Sequence, residues 1–206
     1  YLHRIEDVRL TQGAVGLIAQ TNALGIPVVM VTNQAGVGRG YYGWGDFRTV
    51  QDEIHRLLAT DGAHVDAVYA CGYHELAKPP LNADHAWRKP NPGMLQAAAD
   101  LGIDLARSWI VGDRSSDLAA GKAAGIAGGA LVATGYGSEK EQIAEALALL
   151  LIAGDPLGQF EADVLKVDEI VDAGGGVQSG AAAIADFRQV GALLQMGIAA
   201  LGTPLH

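Results

Sequence analysis

The run Val28-Val29-Met30-Val31, apolar throughout, rich in β-branched residues and broken off at Thr32-Asn33-Gln34, most constrains how this chain can fold. Apolar residues without polar alternation suit a strand buried on both faces of a parallel sheet. In open α/β sheets ligands bind just beyond the carboxyl ends of strands, so Thr32, Asn33 and Gln34 fall where a site is expected. The glycines that follow, Gly36, Gly38, Gly40 and Gly43, are expected to let backbone N–H groups approach an anion. An ordinary glycine-rich turn is the competing reading of the same stretch.

Strand and helix signals alternate along the rest of the chain. Helices are expected over Gln12 to Gly25, Asp46 to Thr60, Asn91 to Leu101, Asp117 to Ala124 and Glu139 to Ile152. Further strands are expected at Val65 to Ala70, Trp109 to Val111, Ala130 to Ala133 and Val164 to Val167. In the helix before Leu101, Asn91 is read as the cap and Pro92 as the first helical residue. This alternation predicts an α/β fold with a doubly wound parallel sheet. Cys71 to Lys89 has no periodicity and is expected to be a long functional loop near the sheet edge that carries Thr32. Residues 1–173 are taken as one domain. Residues 174–206 are taken as a Gly174-Gly175-Gly176 break and an appended helix over Ala181 to Leu201.

Composition narrows the function. The 206 residues carry 14 Lys and Arg against 23 Asp and Glu, a net charge of -9, with no basic run, which argues against nucleic-acid binding. No apolar segment reaches membrane-span length and no signal peptide is evident, and one cysteine, Cys71, excludes internal disulfides. A cytoplasmic monomer acting on a small molecule is the resulting expectation. The chain begins at Tyr1, which is read as the start of a processed product or of a fragment.

Three constellations carry candidate chemistry. Thr32 and Asn33 offer a hydroxyl and an amide to phosphoryl oxygens. Arg88-Lys89-Pro90-Asn91-Pro92-Gly93 places two cations before a helix start, where charge and helix dipole both attract phosphate. A solvated Arg-Lys pair beside a helix cap is the alternative. Asp113 and Asp117, four residues apart after a buried strand, present hard oxygens suited to Mg²⁺, although a turn former and a helix cap fit the same two residues. Each group follows the end of a different strand, so Thr32, Arg88, Lys89, Asp113 and Asp117 are expected around one crevice of a few hundred Å³, by the ~300–1,000 Å³ rule for such sites.

Three stretches make the chain resemble the haloacid dehalogenase (HAD) superfamily of aspartate-nucleophile phosphatases, and within it the heptose bisphosphate and histidinol-phosphate phosphatase group. They are Val31-Thr32-Asn33-Gln34-Ala35-Gly36, Arg88-Lys89-Pro90-Asn91-Pro92-Gly93-Met94, and Val111-Gly112-Asp113 through Asp117. The resemblance covers roughly Tyr1 to Thr134. It implies a three-layer α/β/α, Rossmann-like core and Mg²⁺-dependent hydrolysis of a small sugar phosphate such as heptose 1,7-bisphosphate through an aspartyl-phosphate. By it, Thr32 and Lys89 hold the transferring phosphoryl group, and Asn33, Gln34, Ala35 and Arg88 meet the substrate. Asp113, and less firmly Asp117, holds Mg²⁺.

Two departures accompany the resemblance. The family's first strand, with its Asp-x-Asp nucleophile and general acid, belongs ahead of the region matched by Tyr1, whereas Tyr1 to Gln12 offers only Glu6 and Asp7 in a polar stretch. The chain alone is therefore expected to lack the central first strand, to be marginally folded and to be inactive. The family's structural zinc positions match Cys71, Tyr73, His85 and Trp87, and since two of these cannot ligate zinc, no structural zinc is expected. Two other functions compete. A dinucleotide site at Gly38-Arg39-Gly40-Tyr41-Tyr42-Gly43 is disfavoured because the glycines do not begin at the strand end and the tyrosines are bulky. A non-catalytic HAD-like phosphate-binding module is the remaining alternative.

Overall fold

The computed structural model describes residues 1–132, 135–136, 139–141, 143–145 and 161–165. In chain order a short 3-10 turn at Ile5–Asp7 precedes α1 (Gln12–Ala23), β1 (Val29–Asn33), α2 (Ala35–Arg39), α3 (Trp44–Thr60) and β2 (Ala67–Cys71). After a long loop come α4 (Gly93–Ala99), β3 (Trp109–Gly112), α5 (Ser115–Ala124), β4 (Gly128–Val132) and β5 (Glu161–Leu165).

All pairings are parallel. β1 lies on β2 with Val29 opposite Ala67, and β4 lies between β3 and β5, with Gly128 opposite both Trp109 and Glu161. Among the described residues these form two hydrogen-bonded sheets, β1-β2 and β3-β4-β5, with no ladder joining β1 to β3. Side chains join them instead. Val28 and Met30 pack in one buried cluster with Val50, Ile54 and Leu58 of α3 and Ile18 of α1, and Val111 of β3 leans on it. Val29 and Val31 point the other way, into a cluster with Met94, Leu95 and Ala98 of α4 and Ile110 of β3. Successive residues of β1 thus feed two cores, the three-layer arrangement expected of a strand that is apolar on both faces.

The helices show why they form where they do. Val50, Ile54 and Leu58 of α3 recur every four residues and are all buried, so one stripe faces the sheet. α3 begins at Trp44, two residues before the expected Asp46. Asp46 sits in its first turn and accepts a hydrogen bond from the Gly43 N–H. α1 ends at Leu24 with Gly25 in the left-handed conformation, as its sequence predicts.

Two local expectations are corrected. Asn91 does not cap α4: Pro92 is the N-cap, and the Asn91 amide donates instead to the Asp84 carboxylate and the His85 carbonyl, tying the preceding loop together. The glycines after Thr32 do not form an open anion-cradling loop. Gly36 and Gly38 lie inside the short helix α2, where a Cβ would run into the Tyr42 ring or the Gly72 carbonyl, so both are close-packing positions. β5 occupies 161–165, three residues ahead of the strand expected from Val164. Most of the 139–152 helix, the Gly174–Gly176 break, the terminal helix and the 173/174 boundary lie outside the described residues.

Candidate active site

β1 delivers Thr32 and Asn33 at its carboxyl end. The side-chain amide of Asn33 exchanges two hydrogen bonds with the Lys89 peptide: its Nδ2 donates to the Lys89 carbonyl at 3.0 Å, and its Oδ1 accepts from the Lys89 N–H at 3.0 Å. One side chain thereby does what a neighbouring strand would do, and it seats Lys89 beside the end of β1.

Lys89 itself turns inward. Its ammonium donates to the Val31 carbonyl at 2.9 Å and pairs with Asp117 at 3.0 Å, with both side chains almost fully buried. Backbone polar groups alternate along a strand. The Val28 carbonyl accepts from Asp66 and the Gln34 N–H donates to Cys71 on the β2 side, so the Val31 carbonyl faces the opposite edge. Lys89 therefore satisfies a strand edge that no ladder reaches among the described residues. Burial pushes the lysine pKa down, and Asp117 and Asp113 pull it back up.

α5 supplies Asp117 in its first turn. One carboxylate oxygen pairs with Lys89 and the other accepts the Arg114 N–H at 3.1 Å, so the residue is at once a helix cap and a counter-ion. Asp113, in the turn between β3 and α5, is buried and accepts the Tyr136 N–H at 3.1 Å. Burial raises its pKa and the nearby Asp117 adds to the rise, against the Tyr136 hydrogen bond and Arg114. The Arg114 guanidinium lies 3.7 Å over the Tyr136 ring.

The residues expected to meet a substrate lie around this core. Thr32 Oγ1 accepts from Gln34 Nε2 at 3.0 Å, and Gln34 Oε1 accepts from the Tyr42 hydroxyl. Burial, helped by Tyr1, raises the Tyr42 phenol to about 12, so it remains a donor to Gln34. Arg88 diverges from Lys89, sending its guanidinium to the Tyr73 carbonyl at 3.1 Å in the loop after β2. Ala35 is buried at the start of α2.

The structure thus places Lys89 against both Asp117 and the end of β1, with Asp113 close enough to act on it electrostatically, and it turns Arg88 toward the loop wall. Sequence reasoning did not find the Asn33 clamp, the Gln34–Tyr42 bond or the contact of Arg39 with His74, 3.2 Å between Nη2 and Nε2. An amide directly after a buried strand was the only available signal for the first. A cleft of about 890 Å³ lies elsewhere, between the N-terminal turn and helices α1 and α3.

At the loop positions where the resemblance puts zinc ligands, Tyr73 stacks on His85 with ring centroids 4.0 Å apart, and Trp87 meets Tyr69 edge-on at 5.7 Å. Cys71 is a buried free thiol whose pKa burial raises. Among the described residues no three His, Cys, Asp or Glu side chains group as a metal site. For Mg²⁺ the donor set fits in a limited way: Asp113 is one hard carboxylate at a strand end, and Mg²⁺ is commonly held by one or two carboxylates plus substrate phosphate and water. Both oxygens of Asp117 are already engaged.

Parallel strands flanked by helices on both faces, with hydroxyl, ammonium and carboxylates at strand ends, define a HAD-like α/β class. Residues 86–151 match the model of the HAD-hydrolase-like family. A D-glycero-beta-D-manno-heptose-1,7-bisphosphate 7-phosphatase of Mesorhizobium japonicum is 54% identical over 117 residues, 56% of this chain and 54% of that protein. The D-glycero-alpha-D-manno-heptose-1,7-bisphosphate 7-phosphatase of Burkholderia mallei is 42% identical over 61% of this chain and 68% of its own length. The crystal structure of the D,D-heptose 1,7-bisphosphate phosphatase of B. bronchiseptica, complexed with magnesium and phosphate, superimposes with a TM-score of 0.61 at 30% identity, covering 74% of this chain and 88% of that one. The chain belongs to the HAD-like family of D-glycero-D-manno-heptose-1,7-bisphosphate 7-phosphatases. It spans about half the length of the Mesorhizobium relative, 54%. Among the described residues no helix is long and apolar enough to cross a membrane.

Proposed function

We propose that this chain carries the phosphate-gripping part of a Mg²⁺-dependent phosphomonoester hydrolase acting on a small sugar phosphate such as heptose 1,7-bisphosphate. The observation that carries the reading is the buried Lys89 ammonium, held between the Val31 carbonyl and Asp117 at the end of the strand that presents Thr32. A cation in a place this dry stabilises developing phosphoryl charge far more than one in water. The names of the relatives, and the magnesium and phosphate in the B. bronchiseptica structure, support the same chemistry.

In this mechanism Thr32 Oγ1 and Lys89 Nζ receive the phosphoryl oxygens. Asn33, Gln34 and Ala35 border the substrate, and Arg88 recognises it from the loop side. Asp113 is the residue that would hold Mg²⁺, with Asp117 orienting Lys89. Held by Asp113, Mg²⁺ would supply neutralisation of the phosphoryl charge. Phosphorus passes from the sugar oxygen, which leaves as the hydroxyl by taking a proton from the second Asp of an Asp-x-Asp segment, to the carboxylate of the first. These 206 residues do not contain that segment. Water then attacks phosphorus, giving its proton to the second Asp and releasing inorganic phosphate.

The test compares the 206-residue chain with one in which a strand carrying Asp-x-Asp is joined ahead of Tyr1. Both are assayed with Mg²⁺ on p-nitrophenyl phosphate and on heptose 1,7-bisphosphate. Turnover by the longer chain alone, abolished by Asp113→Asn and by chelation, is the expected result. Robust turnover by the short chain would sink the mechanism. An inactive longer chain that still binds phosphate would favour a binding module.

A further inference from the structure

Arg39 and His74 form a contact that their own chemistry cannot satisfy. Arg39 Nη2 lies 3.2 Å from His74 Nε2, and His74 Nδ1 lies 2.9 Å from the Leu76 N–H, which donates toward it. If Nδ1 accepts, the neutral ring carries its proton on Nε2, directly facing an arginine N–H. If Nε2 accepts, the proton sits on Nδ1 and faces the Leu76 N–H. Either tautomer leaves one donor pointing at another donor. Arg39 Nε is also buried and makes no hydrogen bond, although a buried donor ordinarily has a partner.

The surroundings are cationic. Burial, then the Arg88 and Arg39 charges, lowers the His74 pKa, against a smaller opposing effect from Glu75. The Lys78 ammonium lies over Gly40, where a Cβ would meet it at 2.8 Å. Glu75 acts on His74 only through its charge, and among the described residues no carboxylate accepts a hydrogen bond from Arg39, Arg88 or Lys78.

We propose that Arg39 and His74, flanked by Arg88 and Lys78, form a second oxyanion subsite, which binds a phosphate or carboxylate group of the substrate remote from the reacting phosphoryl group. This rests on the reading of Thr32 and Lys89 as the phosphoryl site. α2 starts three residues after Thr32 and rises about 6 Å from Ala35 to Arg39 at 1.5 Å per helical residue, and Arg88 adjoins Lys89, so both sites fall within the scale of one small sugar carrying two acidic groups. An anion accepting from Arg39 and from His74 Nε2 removes the donor–donor conflict and leaves Nδ1 free to accept from Leu76.

The test reads the His74 ring directly. In long-range proton–nitrogen spectra of the labelled 206-residue chain, inorganic phosphate is expected to shift the His74 Nε2 resonance saturably. Arg39→Gln abolishes the response, and Arg39→Lys restores part of it. Acetate at matched ionic strength shows whether a carboxylate serves as well. No saturable shift, or an unchanged shift in Arg39→Gln, overturns the proposal.

Calorimetry supplies the second arm. Heptose 1,7-bisphosphate is expected to bind at least about tenfold more tightly than heptose 7-phosphate, the worth of one charge-assisted hydrogen-bonded contact. Arg39→Gln should erase that difference while leaving the monophosphate unaffected. If Arg39→Gln weakens both ligands equally, the residue merely fastens α2 to the loop and the proposal fails. Thr32→Val should weaken both ligands alike. If it weakens neither, the phosphoryl-site reading is the one that fails, and the His74 response decides this one.

Discussion

Lys89 brings a charge into a place where only a specific set of partners makes it tolerable. Removing one member of a buried ion pair leaves the other uncompensated, which costs about 3–5 kcal/mol. Lys89→Met is therefore expected to lower the free energy of unfolding by that amount in urea titrations, and to abolish phosphate binding. The double variant Lys89→Met with Asp117→Asn should lose less than the two single losses combined, because no unpaired charge remains. Tyr42 offers a titration with a defined sign. Its folded pKa of about 12 lies above the ordinary phenol value of 10.0, so its contribution to stability is complete below pH 10 and is lost as pH rises toward and through 12. Ultraviolet titration should show one late phenol, absent from Tyr42→Phe; a full complement of tyrosines ionising near pH 10 would remove the Tyr42–Gln34 bond from the account.

At the scale of elements, two glycines hold the site's spacing. A Cβ on Gly112 would land on the Asp117 carboxylate, and one on Gly38 would strike the Gly72 carbonyl. Gly112→Ala is expected to pull Asp117 off Lys89, weakening phosphate binding at least about tenfold if one charge-assisted bond is lost. Gly38→Ala is expected to lift the 72–81 loop from α2, cutting its protection in hydrogen-exchange mass spectrometry while leaving β4 unchanged. Much at this scale was legible in the sequence. The apolar run around β1, the four-residue recurrence in α3 and the strand–helix alternation each reflect burial, which composition records directly. What escaped was direction. Nothing in Arg88-Lys89 says that the first cation turns to a loop carbonyl and the second to the core. Nor does Gly36 or Gly38 distinguish a glycine kept for freedom from one kept for closeness. Arg39 was hidden because its interest lies in a donor set facing His74, thirty-five residues away.

For the whole molecule, the missing ladder between β1 and β3 matters most. Both strands carry fully buried side chains, yet they meet through Ile110, Val111 and the two apolar clusters. Amides of Met30 and Thr32 face β2, and those of Val29 and Val31 face the other edge. Native-state exchange should show the first pair more strongly protected than the second, and equal protection would mean that the far edge is bonded after all.

The reciprocal bonds between Asn33 and the Lys89 peptide act as a fixed post at the end of a long rope. The cation that follows the 72–87 loop takes its address from β1 and not from the loop. Exchanges of exposed loop side chains such as Leu76 are therefore expected to alter selectivity at the proposed site while leaving Lys89 in place. Asn33→Ala cuts the rope from its post: two hydrogen bonds are lost, about 1–3 kcal/mol, and loop changes that were once independent of Lys89 should begin to move it.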